Sequence, residues 1–257
     1  MKKLFVLIAA ACMTCTAAFA QTVKPFKEGE RAVFLGNSIT DAGHYHSYIW
    51  LYYMTRFPDM PIRVFNGGIG GDTAYDMNKR LDGDIFAMKP SVLMVTFGMN
   101  DSGYFEYNGD KPKEFGEQKY QESIKNYQQM EKRFKDLPDT RIVMVGTSPY
   151  DETVQLKENT PFKTKNETIK RLVEYQQESA AKNNWEFTDL NAPMTAINQQ
   201  YQQKDPTFTL CGSDRIHPDN DGHMVMAYLF LKAQGFVGKE VADMEINACL
   251  LYTSPSP

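Results

Sequence analysis

The sequence predicts an α/β protein, a flavodoxin-like three-layer α/β/α sandwich with a five-stranded parallel sheet. Two observations predict it. Five short apolar runs rich in Val, Ile, Leu, Met and Phe lack polar alternation, which is typical of strands that are covered on both faces. Longer periodic segments of helical length separate these runs, and such alternation favours right-handed βαβ crossovers and a parallel sheet.

The five predicted strands are short runs bounded by charged or turn-forming residues. They are Arg31–Gly36, Arg63–Asn66, Ser91–Gly98, Arg141–Gly146 and Trp185–Asp189. The third run is the clearest, because five of its six inner residues are apolar and a glycine ends it.

The predicted helices fill the intervals between these strands, and proline or glycine marks several of their ends. They are His46–Phe57, Ala74–Met88, Phe115–Lys135, Phe162–Asn183 and Asp219–Gln234. Pro58 and Pro90 follow the first two, Pro161 lies at the start of the fourth, and Gly235 ends the fifth. The stretch from 104 to 113 combines Gly, Asn, Asp and Pro with aromatic residues, so we predict a loop near the mouth of any site.

Composition excludes several classes of protein. With 257 residues, 42% hydrophobic and 23% charged, the chain can bury a sizeable core. Its net charge of −4 and the lack of a basic run argue against a nucleic-acid partner. Beyond the first twenty residues no apolar stretch is long enough to cross a bilayer, so we predict no stable membrane insertion.

Both ends of the sequence differ from the central part, which we predict to be one domain over residues 27–240. Lys2 and Lys3 precede an apolar run and an Ala-Phe-Ala ending at Ala20, the layout of a signal peptide over residues 1–20. We therefore expect cleavage after Ala20 and a periplasmic or secreted protein. Residues 241–257 form a tail, and 249–257 resemble translated sequencing-adapter sequence. We expect those nine residues to be foreign and the natural chain to continue past residue 248.

Cysteine does not hold the predicted domain together. Cleavage after Ala20 would leave only Cys211 and Cys249, which are too few for a disulfide framework. We expect Cys211 to be a small buried residue rather than a nucleophile.

Four polar or glycine-rich clusters follow strands or precede the last helix. They are Gly36–Asp41, Asn66–Thr73, Gly98–Asp101 and Asp214–Pro218. In doubly wound sheets, ligands bind beyond the carboxyl ends of the strands, where strand order reverses. The sequence therefore predicts that these clusters share one site.

In this order the clusters resemble the blocks of the SGNH (GDSL-like) hydrolase family. Those blocks are a Gly-Asp-Ser, a glycine block, a Gly-x-Asn-Asp and a late Asp-x-x-His-Pro. The resemblance spans residues 31–235 approximately, and Gly68–Thr73 is similar to the platelet-activating-factor acetylhydrolase type. Asn37 stands where the family usually has Asp, so we expect a difference in loop hydrogen bonding but not in the nucleophile.

The resemblance implies a catalytic triad of Ser38, Asp214 and His217. A serine is a poor nucleophile until a base takes its proton, and the family assigns that role to His217. Asp214, three residues earlier, can accept from the His217 Nδ1–H and fix the tautomer. Without the serine motif, the same Asp-x-x-His pattern would also fit a helix-cap turn.

The resemblance also implies three donors to an oxyanion, namely the backbone N–H groups of Ser38 and Gly71 and the side-chain amide of Asn100. Glycine lets the backbone approach a substrate closely. Taken alone, the glycines also fit a strand-to-helix turn, and Asn100 also fits an Asx turn.

The remaining histidines do not indicate a metal site. His44 and His46 form an i, i+2 pair, but their spacing to other residues offers no third ligand. We expect both to be substrate-facing loop positions. His223 lies in the last predicted helix, where a hydrogen-bonded or surface histidine is expected.

These observations predict a secreted serine esterase that hydrolyses carboxylic esters through an acyl-Ser38 intermediate, without metal or organic cofactor. The expected partner is a small-molecule or glycan ester, with acetylated carbohydrate as the first substrate class. A lysophospholipase or short-chain lipid esterase and a non-catalytic carbohydrate-binding domain on the same fold stay open as alternatives. An FMN-binding protein is less consistent, because Gly36–Thr40 is short for a phosphate-cradling loop. The oligomeric state is left open.

Overall fold

The computed structural model describes residues 22–157 and 160–238, and its strands form one parallel sheet. The strands are β1 Arg31–Gly36, β2 Arg63–Gly68, β3 Val92–Val95, β4 Arg141–Gly146 and β5 Glu186–Asp189. Their order is β2-β1-β3-β4-β5, and every neighbouring pair is parallel. This order confirms the predicted flavodoxin-like sheet, with the order reversing between β1 and β3.

Helices cover both faces of this sheet. In the described part of the chain they are α1 Ser38–Asp41, α2 His44–Arg56, α3 Ala74–Arg80, α4 Pro112–Lys135, α5 Lys165–Lys182, α6 Asn191–Gln202 and α7 Asn220–Ala233. Successive strand residues point to opposite faces, so Phe34 packs with α2 and α7 whereas Leu35 packs with α3 and α4. The continuous apolar runs of the strands are therefore buried on both sides.

Helices α2 and α5 begin at residues other than those predicted. Helix α2 begins at His44, because Gly43 turns the chain with a φ of +84°. Helix α5 begins at Lys165, so the predicted start at Phe162 is wrong. A carboxylate distant in sequence fixes that start, because Glu152 accepts the backbone N–H of Thr164 at 2.8 Å and of Asn166 at 2.6 Å.

The second predicted helix, over 74–88, is three consecutive pieces. A capping box between Thr73 and Asp76 starts α3. After Arg80 the chain continues as a π turn over Leu81–Ile85 and a 3₁₀ turn over Phe86–Met88. The π turn contains Asp-Gly-Asp, three residues with low helix propensity.

Helix α6 was not predicted, and the predicted loop over 104–113 is partly ordered into turns. Asp189 accepts the backbone N–H of Asn191 at 2.7 Å and so caps α6. The signal in the sequence was this aspartate placed ahead of Pro193. The loop contains a 3₁₀ turn over Phe105–Asn108, and α4 already begins at Pro112.

The ends predicted to be foreign or cleaved lie outside the described residues, as do residues 158–159. Residues 22–26, which precede the predicted domain start, contribute Val23 and Phe26 to the core. The boundaries 27–240 stay a prediction. Within the described ranges, each helix falls short of the length or apolar character needed to cross a membrane.

Candidate active site

Ser38 is the first residue of the one-turn helix α1, directly after β1. Asn37 caps this turn, since its Oδ1 accepts the backbone N–H of Ile39 at 3.1 Å. Ile39 and Thr40 are buried beneath the turn, and Ser38 is left half-buried at the sheet edge. The asparagine that replaces the family's aspartate therefore still supplies the capping oxygen.

Glycines allow α1 to lie directly against the sheet. A Cβ on Gly36 would lie 2.1 Å from Thr40 Oγ1, and one on Gly68 would lie 2.2 Å from the backbone nitrogen of Asp41. Side chains at either position would push α1 away from β1 and β2. The position of Ser38 thus depends on close backbone packing.

Asp214 and His217 lie together in the loop before α7. Oδ1 of Asp214 accepts the backbone N–H groups of Ile216 and His217, each at 2.9 Å. Oδ2 of Asp214 lies 2.5 Å from His217 Nδ1, and His217 Nε2 lies 2.8 Å from Ser38 Oγ. The structure thus brings the three predicted triad residues into one hydrogen-bonded row.

The electrostatics of this row orient the imidazole. The hydrogen bond from Asp214 raises the pKa of His217, and partial burial opposes that shift. Burial raises the pKa of Asp214, but the hydrogen bonds from His217 and the backbone outweigh burial and lower it. With Nδ1–H donated to the carboxylate, neutral His217 presents the Nε2 lone pair to the Ser38 hydroxyl.

Arg215 anchors the triad loop, and sequence reasoning missed it. Its guanidinium is buried and donates to the carbonyl oxygens of Asp151 at 3.1 Å and Val154 at 2.7 Å. Its carbonyl accepts the N–H of Asp151 at 3.0 Å, and its φ is +69°. A non-glycine residue in this conformation carries strain, which the buried contacts compensate.

The loop after β2 lies beside Ser38, and the loop after β3 is hydrogen-bonded to it. A Cβ added to Gly70 would lie 4.0 Å from the Cβ of Ser38, and Gly71 has a φ of +85°. Asn100 Nδ2 donates to the Asp72 carbonyl at 2.9 Å, which joins the two loops. The second N–H of this amide can serve an oxyanion, as the sequence predicts.

Two charged residues connect these loops to the sheet. Arg80 pairs with Asp72 at 2.6 Å and also donates to the carbonyls of Gly67 and Gly36, at the ends of β2 and β1. Asp101 is buried and accepts the N–H groups of Gly98 at 3.0 Å and Ala74 at 2.9 Å. The ends of three strands are therefore connected by directional bonds.

The prediction that His46 faces substrate from a loop is wrong. His46 lies inside α2, is 5% exposed, and its Nε2 is 3.2 Å from the Thr40 carbonyl. It supports the end of α1 from within the core. His44 is exposed at the first position of α2 rather than in a loop, with its ring 5.1 Å from that of His223.

His223 and Cys211 are both buried. Burial lowers the pKa of His223 to about 4, and its Nδ1 has no hydrogen-bond partner among the described residues. Cys211 is fully buried, as predicted, and burial raises the pKa of its thiol to about 12, so it is not a ready nucleophile. Over the described ranges, no three His, Cys, Asp or Glu side chains are grouped to hold a metal ion.

A flavodoxin-like sheet with a Ser–His–Asp row at its carboxyl edge, and amide donors on adjoining loops, defines a serine ester hydrolase of the SGNH type. Comparison with known families agrees with this class. The chain belongs to the GDSL-like Lipase/Acylhydrolase family, whose profile matches residues 34–225. This match confirms the resemblance drawn from the four sequence clusters.

Two relatives extend the comparison. The acetylxylan esterase of Geobacillus stearothermophilus is 27% identical over an alignment of 224 residues that covers 81% of this chain and 95% of the relative. A crystal structure of a catalytic mutant of that esterase superposes with a TM-score of 0.66 at 23% identity, covering 86% of this chain and 99% of its own. A solved gut microbial diltiazem-metabolizing enzyme is 84% identical, with a TM-score of 0.87 over 90% of this chain. This chain spans 52% of the length of that enzyme.

Proposed function

We propose that this protein is an exported serine esterase that removes acetyl groups from carbohydrates through an acyl-Ser38 intermediate. The observation that carries the proposal is the row of hydrogen bonds from Ser38 Oγ through His217 to Asp214, at 2.8 and 2.5 Å. The loop after β3 carries an asparagine amide that is already fixed in place, and that loop is hydrogen-bonded to the loop after β2. Nucleophile and base are thus in contact, and a fixed amide donor on an adjoining loop supports the assignment of an oxyanion site.

We infer the mechanism from the hydrogen-bonded row together with the donor roles that the family resemblance implies. Ser38 Oγ attacks the ester carbonyl while its proton passes to His217 Nε2. The negative oxygen of the tetrahedral intermediate accepts from Asn100 Nδ2 and from the backbone N–H groups of Ser38 and Gly71. The bond to the alcohol oxygen then breaks, and His217 returns its proton to that oxygen. Water repeats the sequence on the acyl-serine and releases the acid.

The identity of the acyl group is supported by the relatives. Acetylxylan carries acetyl groups on sugar hydroxyls, and diltiazem is also an acetate ester. The two compounds therefore have an acetyl ester in common. Solved variants of the acetylxylan esterase that are described as catalytic mutants replace a serine, a histidine and an aspartate. Those are the three residue types of the row formed here.

Two polar clefts, one lined by Asn100 and one by Pro218, support a carbohydrate as the alcohol part. The cleft that Asn100 lines also contains Tyr75, Lys119, Glu122 and Asn126. A second cleft, next to Pro218, is lined by polar groups that include His44, Asp219, Asn220 and Asp221. Such groups can exchange hydrogen bonds with sugar hydroxyls.

An apolar groove among the described residues is lined by neither Ser38 nor His217, which disfavours a lipid ester. It runs between α2 and α7, and its lining includes Leu51, Tyr228 and Leu231 but neither Ser38 nor His217. A long acyl chain bonded to Ser38 would therefore lack this groove. Export is supported by the signal-peptide pattern of residues 1–20.

The test is acetate release from a panel of acetylated oligosaccharides, set beside p-nitrophenyl esters of two to twelve carbons and a lysophospholipid. We expect Ser38-dependent release of acetate from the glycans, with activity on p-nitrophenyl esters falling as the acyl chain lengthens. Ser38→Ala is the negative control. Faster hydrolysis of the twelve-carbon ester or of the lysophospholipid would favour the lipid alternative and contradict the proposal.

A further inference from the structure

A fully buried lysine lies behind the loop that carries Asn100. Lys165 is the first residue of α5 and is 0% exposed. Its Nζ donates to the carbonyl oxygens of Met99 at 2.7 Å and Gly103 at 2.5 Å, and to Ser102 Oγ at 2.6 Å. All three acceptors belong to the loop after β3, and they come from residues on both sides of Asn100 in the sequence.

The hydrogen bonds of this lysine match those of an ammonium group. Ser102 donates its own hydroxyl proton to the Met99 carbonyl at 2.9 Å, which leaves its oxygen free to accept. Three acceptors therefore face the three N–H bonds of Lys165. The arrangement has a cost, because burial lowers the pKa of Lys165 to about 7 and the helix dipole disfavours a cation at this end. An apolar side chain would fill the same space without that cost.

Tyr104 connects the lysine to the asparagine amide. Lys165 Nζ lies 3.9 Å from the centre of the Tyr104 ring, in cation–π geometry. The Tyr104 hydroxyl donates to Asn100 Oδ1 at 2.5 Å, and Asn100 Nδ2 donates to the Asp72 carbonyl at 2.9 Å. Both ends of the amide are thus fixed, so its remaining N–H has one direction.

We propose that Lys165 is a positioning residue for the oxyanion donor Asn100, which it holds through the loop backbone and through Tyr104. The inference rests on the proposed function, because the donor role of Asn100 is part of that function. Lys165 itself does not touch the substrate. Its three hydrogen bonds hold the loop after β3 in one conformation, which keeps the amide in place before the oxyanion forms.

A double-mutant cycle tests the inference. Removing an oxyanion donor costs about 10²–10³-fold in kcat. A donor displaced by about 1 Å costs up to 10²-fold. We therefore expect Lys165→Met to lower kcat for p-nitrophenyl acetate by about 10–10²-fold with little change in KM. In the Asn100→Ala background, the same change should lower kcat less than about twofold further. Losses that multiply in the double variant would overturn the inference.

A second pair of variants keeps the test valid if Lys165→Met does not fold. Tyr104→Phe removes the hydroxyl that fixes Asn100 and keeps the ring beside the lysine. We expect about a tenfold loss of kcat that disappears in the Asn100→Ala background. The matched control is Tyr127→Phe, which removes a buried hydroxyl 2.7 Å from Ser179 Oγ in the core. It should leave kcat unchanged, and an unchanged kcat in Tyr104→Phe would contradict the proposal.

The Ser38→Ala variant separates this inference from the proposed function. If this variant still turns over p-nitrophenyl acetate at the wild-type rate, the proposed function itself fails. If turnover depends on Ser38 while the losses from Lys165→Met and Asn100→Ala multiply, only the positioning role fails.

Discussion

Asp214 holds His217 at two points, because one carboxylate oxygen accepts the imidazole Nδ1–H at 2.5 Å and the other accepts the histidine's own backbone N–H at 2.9 Å. The carboxylate therefore fixes both the ring and the turn that carries it. Both side chains are about half exposed, at 49% for His217 and 47% for Asp214. The pair is open to solvent, so its ionisation should follow the pH of the medium.

Esterase activity should rise with pH through the ionisation of His217. Only the neutral imidazole can accept the serine proton, and the Asp214 bond raises the pKa of His217 above its usual value near 6.5. Activity is therefore lost as pH falls through that raised value. In Asp214→Asn the charge is gone, so the acid limb of kcat/KM should move to lower pH. Initial rates with p-nitrophenyl acetate from pH 4.5 to 9 measure this shift.

The control for this pH experiment is Asp139→Asn, an exposed carboxylate that lies before β4, at the opposite edge of the sheet from the triad. It should reproduce the wild-type profile. An acid limb that stays in place in Asp214→Asn would show that another group governs the activity.

A fluorophosphonate probe should add one label to the protein, at Ser38. The Ser38 hydroxyl lies 2.8 Å from His217 Nε2, and this base activates it as a nucleophile. Ser38→Ala should abolish labelling. Ser47 is an exposed serine on α2, and the control variant Ser47→Ala should still be labelled. Intact-mass spectrometry counts the labels. Labelling that persists in Ser38→Ala would place the nucleophile elsewhere.

His217→Ala should reduce turnover more than Asp214→Ala does. The first change removes the base, whereas the second removes orientation and charge but leaves an imidazole. In related triads the losses are about 10⁶-fold for the base and about 10⁴-fold for the carboxylate. Steady-state rates compare the two, with circular dichroism to check folding. Near-normal turnover in a folded His217→Ala would identify a different base.

The sheet could be predicted because its strands are buried on both faces. Runs such as Arg31–Gly36 and Arg141–Gly146 have the same limits in sequence and structure. Helix starts were harder, because contacts distant in sequence set them. Glu152 fixes the start of α5 from thirteen residues before Lys165, and no local pattern contains that information.

The candidate site residues also differ in how visible they are in the sequence. Ser38 and Asn100 occur in short motifs after strands, and Asp214 and His217 occur in one before α7, so the sequence alone could propose them. Lys165 is one of three lysines between residues 161 and 170, and only the fold shows that its ammonium is buried against the Asn100 loop.

Gly68→Ala should damage both folding and catalysis, because the fold and the site meet at this residue. The added Cβ would lie 2.2 Å from the backbone nitrogen of Asp41, and backbone cannot turn aside as a flexible side chain can. Helix α1 must then move away from β2 and carry Ser38 away from His217. Overpacking of this kind costs about 1–3 kcal/mol. A shift of about 1 Å costs up to about 10²-fold in rate. We expect a lower Tm in thermal denaturation together with a lower kcat for p-nitrophenyl acetate.

Gly83→Ala is the matched control, since a Cβ there meets nothing within 4 Å, and it should leave both values near those of the wild type. Wild-type Tm and kcat in Gly68→Ala would mean that the position of Ser38 does not depend on this contact.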